Sequence, residues 1–307
     1  MSGAATGLAV GVVGLGNIGA PVARRLLGLG PPIWVYDLAA DRVEALAAEG
    51  AKVGTSPVDL GDSVDVVFLS LPSPAAAEAV LFADNGVARG GRVSVVVDLS
   101  TTGVAESESI AERLEARGIV LVDCPVSGGV RGARDGKLAL MLAGEAESVA
   151  RVSPLLEHLG TLFLVGTQPG QGQAMKLLNN YLSACALASS AEAMAFGAKA
   201  GLDLGQMLAA VNAGSGRNSA TQDKYPRAVL TGTFDAGFAM GLMGKDLRLF
   251  AAHAERIGVP LWMGATCRTI WQLAERKFGA DSDFTHVVRL EEAWAGVEVR
   301  AHDRASG

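Results

Sequence analysis

Leu8-Ala9-Val10-Gly11-Val12-Val13-Gly14-Leu15-Gly16-Asn17-Ile18-Gly19-Ala20-Pro21-Val22 passes from an apolar strand pattern, through three spaced glycines, into an amphipathic helix pattern. Gly14, Gly16 and Gly19 form GxGxxG at the strand-to-helix turn. The first glycine permits the tight turn, the second lets backbone approach a pyrophosphate, and the third lets helix pack closely on strand. The N–H groups and positive dipole end of the helix then favour an anion. Leu15, Asn17 and Ile18 fill the loop between the glycines and join them as candidate cofactor contacts. A P-loop is disfavoured, because no GK[ST] follows the glycines. The same glycines would also suit a tight turn with no ligand.

Working outward, a second apolar run, Ile33–Tyr36, ends at Asp37. A carboxylate there accepts hydrogen bonds from an adenosine ribose and repels a 2′-phosphate, which favours NAD. Arg42 leaves NADP open, and Asp37 is also placed to cap the helix pattern beginning near Asp41. Further strand patterns at Val64–Ser70, Val93–Asp98, Ile119–Val122, Leu138–Ala143 and Thr161–Val165 alternate with helix patterns near Pro74–Phe82, Val104–Arg117 and Glu147–Leu159. Near-continuous apolar strands alternating with helices predict an α/β, Rossmann-like doubly wound parallel sheet. After Gly166 strand patterns nearly vanish. Pro169 opens a long Ala/Leu/Met-rich helix pattern that ends before Gly201, and helical patterns follow at Asp203–Ala213, Lys245–Ile257 and Leu261–Phe278. The expected organisation is a dinucleotide-binding domain at 1–166, an all-α substrate and oligomerisation domain at 167–299 joined by the long helix, and a polar tail at 300–307.

Composition narrows the function classes. A length of 307 residues, 50% hydrophobic, is enough for two cores. The net charge of −6 argues against nucleic acid as a partner. Cys124, Cys185 and Cys267 are odd in number and far apart, and the four His residues make no HExxH-type pair, so neither a disulfide framework nor a metal site is expected. Residues 1–23 carry no charged side chain, yet no basic n-region precedes them, and repeated glycines with Pro21 do not suit a spanning helix. No membrane span is expected, and a soluble cytoplasmic protein follows.

Two further constellations carry chemistry. Asp123-Cys124-Pro125-Val126-Ser127-Gly128-Gly129 follows a strand pattern, where Ser127 with the Gly128 and Gly129 N–H groups could hold an anion or simply turn the chain. Gly170-Gln171-Gly172-Gln173-Ala174-Met175-Lys176-Leu177-Leu178-Asn179-Asn180 lies on the long helix, and the spacing of four puts Lys176 and Asn180 on one face. Lys176 is a lone charge in an apolar neighbourhood. It could move an alcohol proton beside a nicotinamide, or it could snorkel to the surface.

Taken with Lys245-Asp246-Leu247, these ordered motifs cover most of the chain and resemble the β-hydroxyacid dehydrogenase family, which includes 3-hydroxyisobutyrate dehydrogenase and tartronate semialdehyde reductase. The resemblance implies reversible hydride transfer between NAD(H) and a short 3-hydroxy acid or its semialdehyde. It implies Lys176 as acid/base, Asn180 as its hydrogen-bonding neighbour, and Ser127, Gly128 and Gly129 as the carboxylate cradle. Leu71, Pro72 and Thr101 resemble edges of the nicotinamide-ribose pocket, Lys245 a lysine reaching cofactor or substrate, and Phe238 a ring covering that pocket. Ala76 departs from the branch that places Asn nearby. Asn212–Asn218 resembles the border of the substrate's variable end, where Ser215 and Asn218 suggest a polar substituent or merely a helix-capping loop. The resemblance also implies a homodimer or homotetramer. An imine reductase usually lacks this lysine, and a 6-phosphogluconate-type decarboxylase usually has His where Asn179 stands. A non-catalytic dinucleotide-binding module is the reading outside enzymes.

Overall fold

The computed structural model describes residues 7–30 and 32–300 of the chain. The contacts separate two compact units, the first ending at Lys176 and the second starting at Leu177. Of the tail expected at 300–307, all but Arg300 lies outside the described residues.

In the first unit, β1 (Val10–Val13), β2 (Ile33–Tyr36), β3 (Lys52–Val53), β4 (Val66–Leu69), β5 (Val95–Asp98) and β6 (Val120–Asp123) form a parallel sheet in the order β3-β2-β1-β4-β5-β6. Its alternation is buried on both faces. Val10, Val12, Val66 and Phe68 belong to one apolar cluster, whereas Val13, Val67 and Leu69 belong to another. The first is covered by α1 (Gly19–Leu27), α2 (Ala40–Ala48), α6 (Gly129–Asp135) and α7 (Ala146–Leu156). The second is covered by α3 (Pro57–Ser63), α4 (Pro74–Phe82) and α5 (Val104–Glu115). Helices on both faces explain why these strands read as unbroken apolar runs. Each large apolar side chain buried this way contributes about 1.5–3 kcal/mol.

Beyond β6 the sheet changes direction. β8 (Leu138–Ala143) runs antiparallel both to β6 and to the two-residue β7 (Val126–Ser127), and β9 (Gly160–Gly166) runs parallel to β8. The sequence pattern gave no sign of β7 or α6, because a two-residue strand and a glycine-rich turn of helix are too short for periodicity. It also passed over α3, although Ser56 caps it by accepting from Asp59 N–H at 3.2 Å and Pro57 opens it. The chain winds outward from β1 through β2 and β3, then returns to β4 on the other side of β1. Ligands of such sheets bind outside the strand carboxyl ends at this reversal.

The second unit is helical. It holds most of α8 (Gln171–Lys199), then α9 (Leu204–Ala213), a π-helical segment (Ala220–Val229), α10 (Met240–Arg256), α11 (Trp262–Phe278) and α12 (Val288–Ala295). Leu187, Met194, Tyr225, Met243, Trp271 and Phe284 make its core. At 29 residues α8 is about 44 Å long. It starts at Gln171 rather than at Pro169, because Gly170 before it adopts φ +86° and turns its N–H onto Asp123. Among the described residues no helix is long and apolar enough to cross a membrane.

Candidate active site

The three glycines after β1 have separate duties. Gly14 has φ +86°, and a Cβ there would lie 2.2 Å from the Ser70 carbonyl oxygen. A Cβ on Gly19 would lie 1.8 Å from the Gly14 carbonyl oxygen. Both positions are therefore fixed by packing. Gly16 differs, because a Cβ there would meet nothing closer than Arg42 Nη1 at 4.0 Å. The space over Gly16 is open, and no side chain caps the N-terminus of α1. A bare backbone surface beside a helix N-terminus fits a pyrophosphate.

Asp37, just beyond β2, accepts from Leu15 N–H at 2.6 Å through Oδ2 and from Ala39 N–H at 2.8 Å through Oδ1. Arg42 Nη1 stands 3.8 Å from Oδ2. Asp37 does not cap α2, whose N-cap is Ala39. Each carboxylate oxygen keeps a further lone pair for a ribose hydroxyl. Leu71 N–H donates to Ser100 Oγ at 2.9 Å, and Ser100 N–H donates to Asp98 Oδ1 at 2.9 Å. The loops after β4 and β5, with Leu71, Pro72 and Thr101, are thereby tied together beside the glycine loop, at the carboxyl ends of neighbouring strands.

Ser127 ends β7 opposite Ala139, and Gly128 and Gly129 follow with φ +130° and +61°. A Cβ on Gly129 would meet nothing within 4 Å, so its backbone is open to a ligand.

The first turn of α8 docks on β6. Asp123 is fully buried, and its Oδ2 accepts from Gly170 N–H and Gln173 N–H, each at 3.0 Å. Its Oδ1 accepts from Gln173 Nε2 at 2.9 Å. Burial, and to a smaller extent the neighbouring Asp98 carboxylate, push the Asp123 carboxyl up to about 6, although the three donors oppose the shift. Gly172 permits this docking, since a Cβ there would lie 2.7 Å from the Met141 carbonyl oxygen. Lys176, one turn further along α8, is buried.

In the second unit Asn180 is buried, donates through Nδ2 to Asp246 Oδ2 at 2.5 Å, and accepts at Oδ1 from Asn179 Nδ2 at 3.1 Å. Lys245 Nζ lies 3.4 Å from Asp246 Oδ1. Two bonds thus fix which way the Asn180 amide faces and leave one N–H of Nδ2 over. The sequence reading quoted Asp246 but gave it no duty; its signal is a charge adjacent to Lys245 that α10 turns inward. Gln173 was also missed, because its partners stand some 50 or more residues earlier. Phe238 packs edge-on to Phe284, ring centroids 5.6 Å apart, at the margin of the helical core. Asn218 serves as a cap: its Oδ1 accepts from Ala220 and Thr221 N–H, and its Nδ2 donates to Ser190 Oγ at 3.2 Å. With its amide so occupied, Asn218 lends no support to a polar substrate substituent.

Comparison with known proteins adds independent findings. Residues 9–167 match the family described as the NAD binding domain of 6-phosphogluconate dehydrogenase. Residues 170–291 match that described as NAD-binding of NADP-dependent 3-hydroxyisobutyrate dehydrogenase. The chain is 33% identical to 2-(hydroxymethyl)glutarate dehydrogenase of Eubacterium barkeri, over 94% of this chain and 97% of that one. It is 34% identical to 3-hydroxyisobutyrate dehydrogenase of Pseudomonas aeruginosa, over 86% and 91%. Among solved structures, Mycobacterium tuberculosis 3-hydroxyisobutyrate dehydrogenase with L-serine superposes with a TM-score of 0.84 at 28% identity, covering 92% of this chain and 98% of that chain. An imine reductase from Myxococcus stipitatus shares the fold at 18% identity and a TM-score of 0.64.

Proposed function

Because the chain belongs to the β-hydroxyacid dehydrogenase family, a group of NAD- or NADP-dependent oxidoreductases, we propose that it interconverts a short 3-hydroxy carboxylic acid and its semialdehyde, with Lys176 as the acid/base. The observation that carries this reading is a buried Lys176 four residues before a buried Asn180 on one continuous helix. Burying an ammonium is costly, and a residue placed so is a candidate for proton transfer.

When bound, the cofactor supplies reversible acceptance of a hydride from carbon. Gly14–Gly19 hold its pyrophosphate, Asp37 its adenosine ribose, and Leu71, Pro72 and Thr101 border the nicotinamide ribose. Ser127 Oγ and the Gly128–Gly129 backbone take the substrate carboxylate. In oxidation Lys176 Nζ removes the hydroxyl proton, and in reduction it returns a proton to the same oxygen. Asn180 donates its remaining N–H to that oxygen, its amide held by Asp246 and Asn179. The family likeness assigns Lys245 and Phe238 to the substrate or cofactor as well. Asp37 supports NAD as the preferred cofactor, since a second negative group beside it would be repelled.

The substrates named for the relatives, 3-hydroxyisobutyrate and 2-(hydroxymethyl)glutarate, share a 3-hydroxypropanoate core and differ at C2. The test is a panel of C3–C5 3-hydroxy acids and their semialdehydes, with a cyclic imine as control, assayed with both cofactors. We expect turnover of 3-hydroxy acids, with kcat/KM for NAD about tenfold or more above that for NADP. Turnover of the imine alone, or none at all despite tight cofactor binding, would defeat the reading. Equal kcat/KM values would defeat the NAD preference.

The helical unit exposes Leu182, Phe196, Leu202, Trp262 and Trp294, each more than half accessible. This apolar surface supports a homodimer or homotetramer formed through that unit. Light scattering at micromolar concentration should return a multiple of the 31.4 kDa chain mass, and a strictly monomeric mass would overturn the assembly. Three free thiols support residence in a reducing compartment such as the cytoplasm.

A further inference from the structure

A helix that presents an acid/base must be held still, and the way α8 is held is unusual. Gln171 N–H turns back locally to the Gln168 carbonyl at 3.3 Å. The N–H groups of Gly170, just before the helix, and of Gln173 turn instead to a carboxylate contributed by a strand 47 and 50 residues earlier, Asp123 Oδ2. Negative charge at the positive end of a helix is favourable, and charge-assisted bonds are among the stronger ones. Gln173 uses its whole amide. Nε2 donates to Asp123 Oδ1 at 2.9 Å and to the Ser100 carbonyl at 3.1 Å. Oε1 accepts from Thr102 N–H at 3.0 Å and Gly103 N–H at 3.2 Å. Ser100 and Thr102 flank Thr101, the loop residue assigned above to the cofactor, and Lys176 lies one turn beyond Gln173 on α8.

We propose that Asp123 and Gln173 form one positioning unit that sets Lys176 relative to the cofactor loop Ser100–Gly103, Asp123 by capping α8 and Gln173 by tying its first turn to that loop. Neither residue touches the reacting atoms. The inference rests on the reading of Lys176 as acid/base, and it adds residues for which packing alone has no need. An apolar side chain would fill either site without burying a carboxylate or an amide. Only an ionised Asp123 accepts from all three donors. As asparagine it would set an N–H against Gln173 Nε2, and as a neutral acid an O–H. The charged or titratable groups around it are Asp98 from β5 and the Cys124 thiol beside it, and α8 meets it with Gln173 and two backbone N–H groups.

The test uses Gln173→Met, which keeps the volume, together with Asp123→Asn, the double variant, and Lys176→Ala in parallel, with thermal unfolding of each. We expect both single variants to lower kcat about 100-fold, the loss that a displacement near 1 Å can cause, with NADH affinity by fluorescence titration and substrate KM little changed. The double variant should lose no more than either single one, because the two residues act as a unit. In the reduction direction Lys176 acts protonated and gives no acid limb of its own. There kcat of the unsubstituted enzyme should fall as pH drops through about 6, where Asp123 gains its proton, and Asp123→Asn should lack that limb. Wild-type kcat in Gln173→Met, losses that simply add, losses that follow thermal stability alone, or an acid limb that survives in Asp123→Asn would each overturn the proposal. If Asp123→Asn fails to fold, Gln173→Met still decides it. An inactive Lys176→Ala beside a fully active Gln173→Met would sink the anchor alone, whereas an active Lys176→Ala would sink the catalytic reading beneath it.

Discussion

Lys176→Ala is expected to lower kcat about 10²–10⁴-fold, the usual range for removing a general acid/base, while the dissociation constant for NADH stays near that of the unsubstituted enzyme. The split follows from where the parts lie. The proposed cofactor contacts of the first unit sit at Gly14–Gly19, Asp37, Leu71, Pro72 and Thr101, on loops after parallel strands and, for Gly19, at the first position of α1, and none on α8. Removing a side chain from α8 leaves those loops as they are. Its buried position also means that alanine leaves a small void rather than an exposed patch. The measurement is steady-state turnover beside fluorescence titration of NADH. Near-normal turnover would remove Lys176 from the mechanism, and lost NADH binding would assign it to the cofactor instead.

The second large effect concerns the glycine loop, where two single-methyl changes should both impair cofactor binding but differ in what they cost the fold. Gly19→Ala places a Cβ 1.8 Å from the Gly14 carbonyl oxygen and 3.1 Å from Ser70 Cβ, so backbone must move. The expected result is about 1–3 kcal/mol of lost stability, as in other overpacked sites, with cofactor binding lost as well. Gly16→Ala meets only Arg42 Nη1, at 4.0 Å, so the fold should tolerate it and thermal unfolding should barely change. Its methyl nevertheless enters the space assigned to the pyrophosphate, and NADH affinity should fall sharply. Thermal unfolding and NADH titration on both variants check this. Unimpaired NADH binding by Gly16→Ala would take the pyrophosphate away from that glycine.

Much of this arrangement was legible in the sequence because it is local. The strand and glycine patterns of β1 and the apolar runs of β2, β4, β5 and β6 carry their own periodicity, and Pro74–Phe82 was bounded by Ser73, which caps α4 at Ala76 N–H. Lys176 and Asn180 stood out because a fixed spacing on a helix defines a face. What stayed hidden is non-local. Gln173 reads as one more polar residue until folding brings Ser100, Thr102 and Asp123 around it. The π-helical Ala220–Val229 holds Pro226, which argues against helix in any local reading. Asn218 carried signals for a loop contact and for a cap, and only its bonds to Ala220, Thr221 and Ser190 separate them.

The carboxylate of Asp37 also restricts how cofactor preference can drift. Because Oδ2 secures the Leu15 amide and Oδ1 the Ala39 amide, the side chain proposed to discriminate between two coenzymes is also a brace for the loop proposed to seat either of them. Replacement by alanine would relieve the repulsion of a phosphate and slacken the seat in the same stroke. Asparagine or serine would shed the charge while still offering an oxygen to at least one amide. Any route toward the phosphorylated coenzyme is therefore funnelled through small polar intermediates at this position, with Arg42 already standing by to meet the new charge.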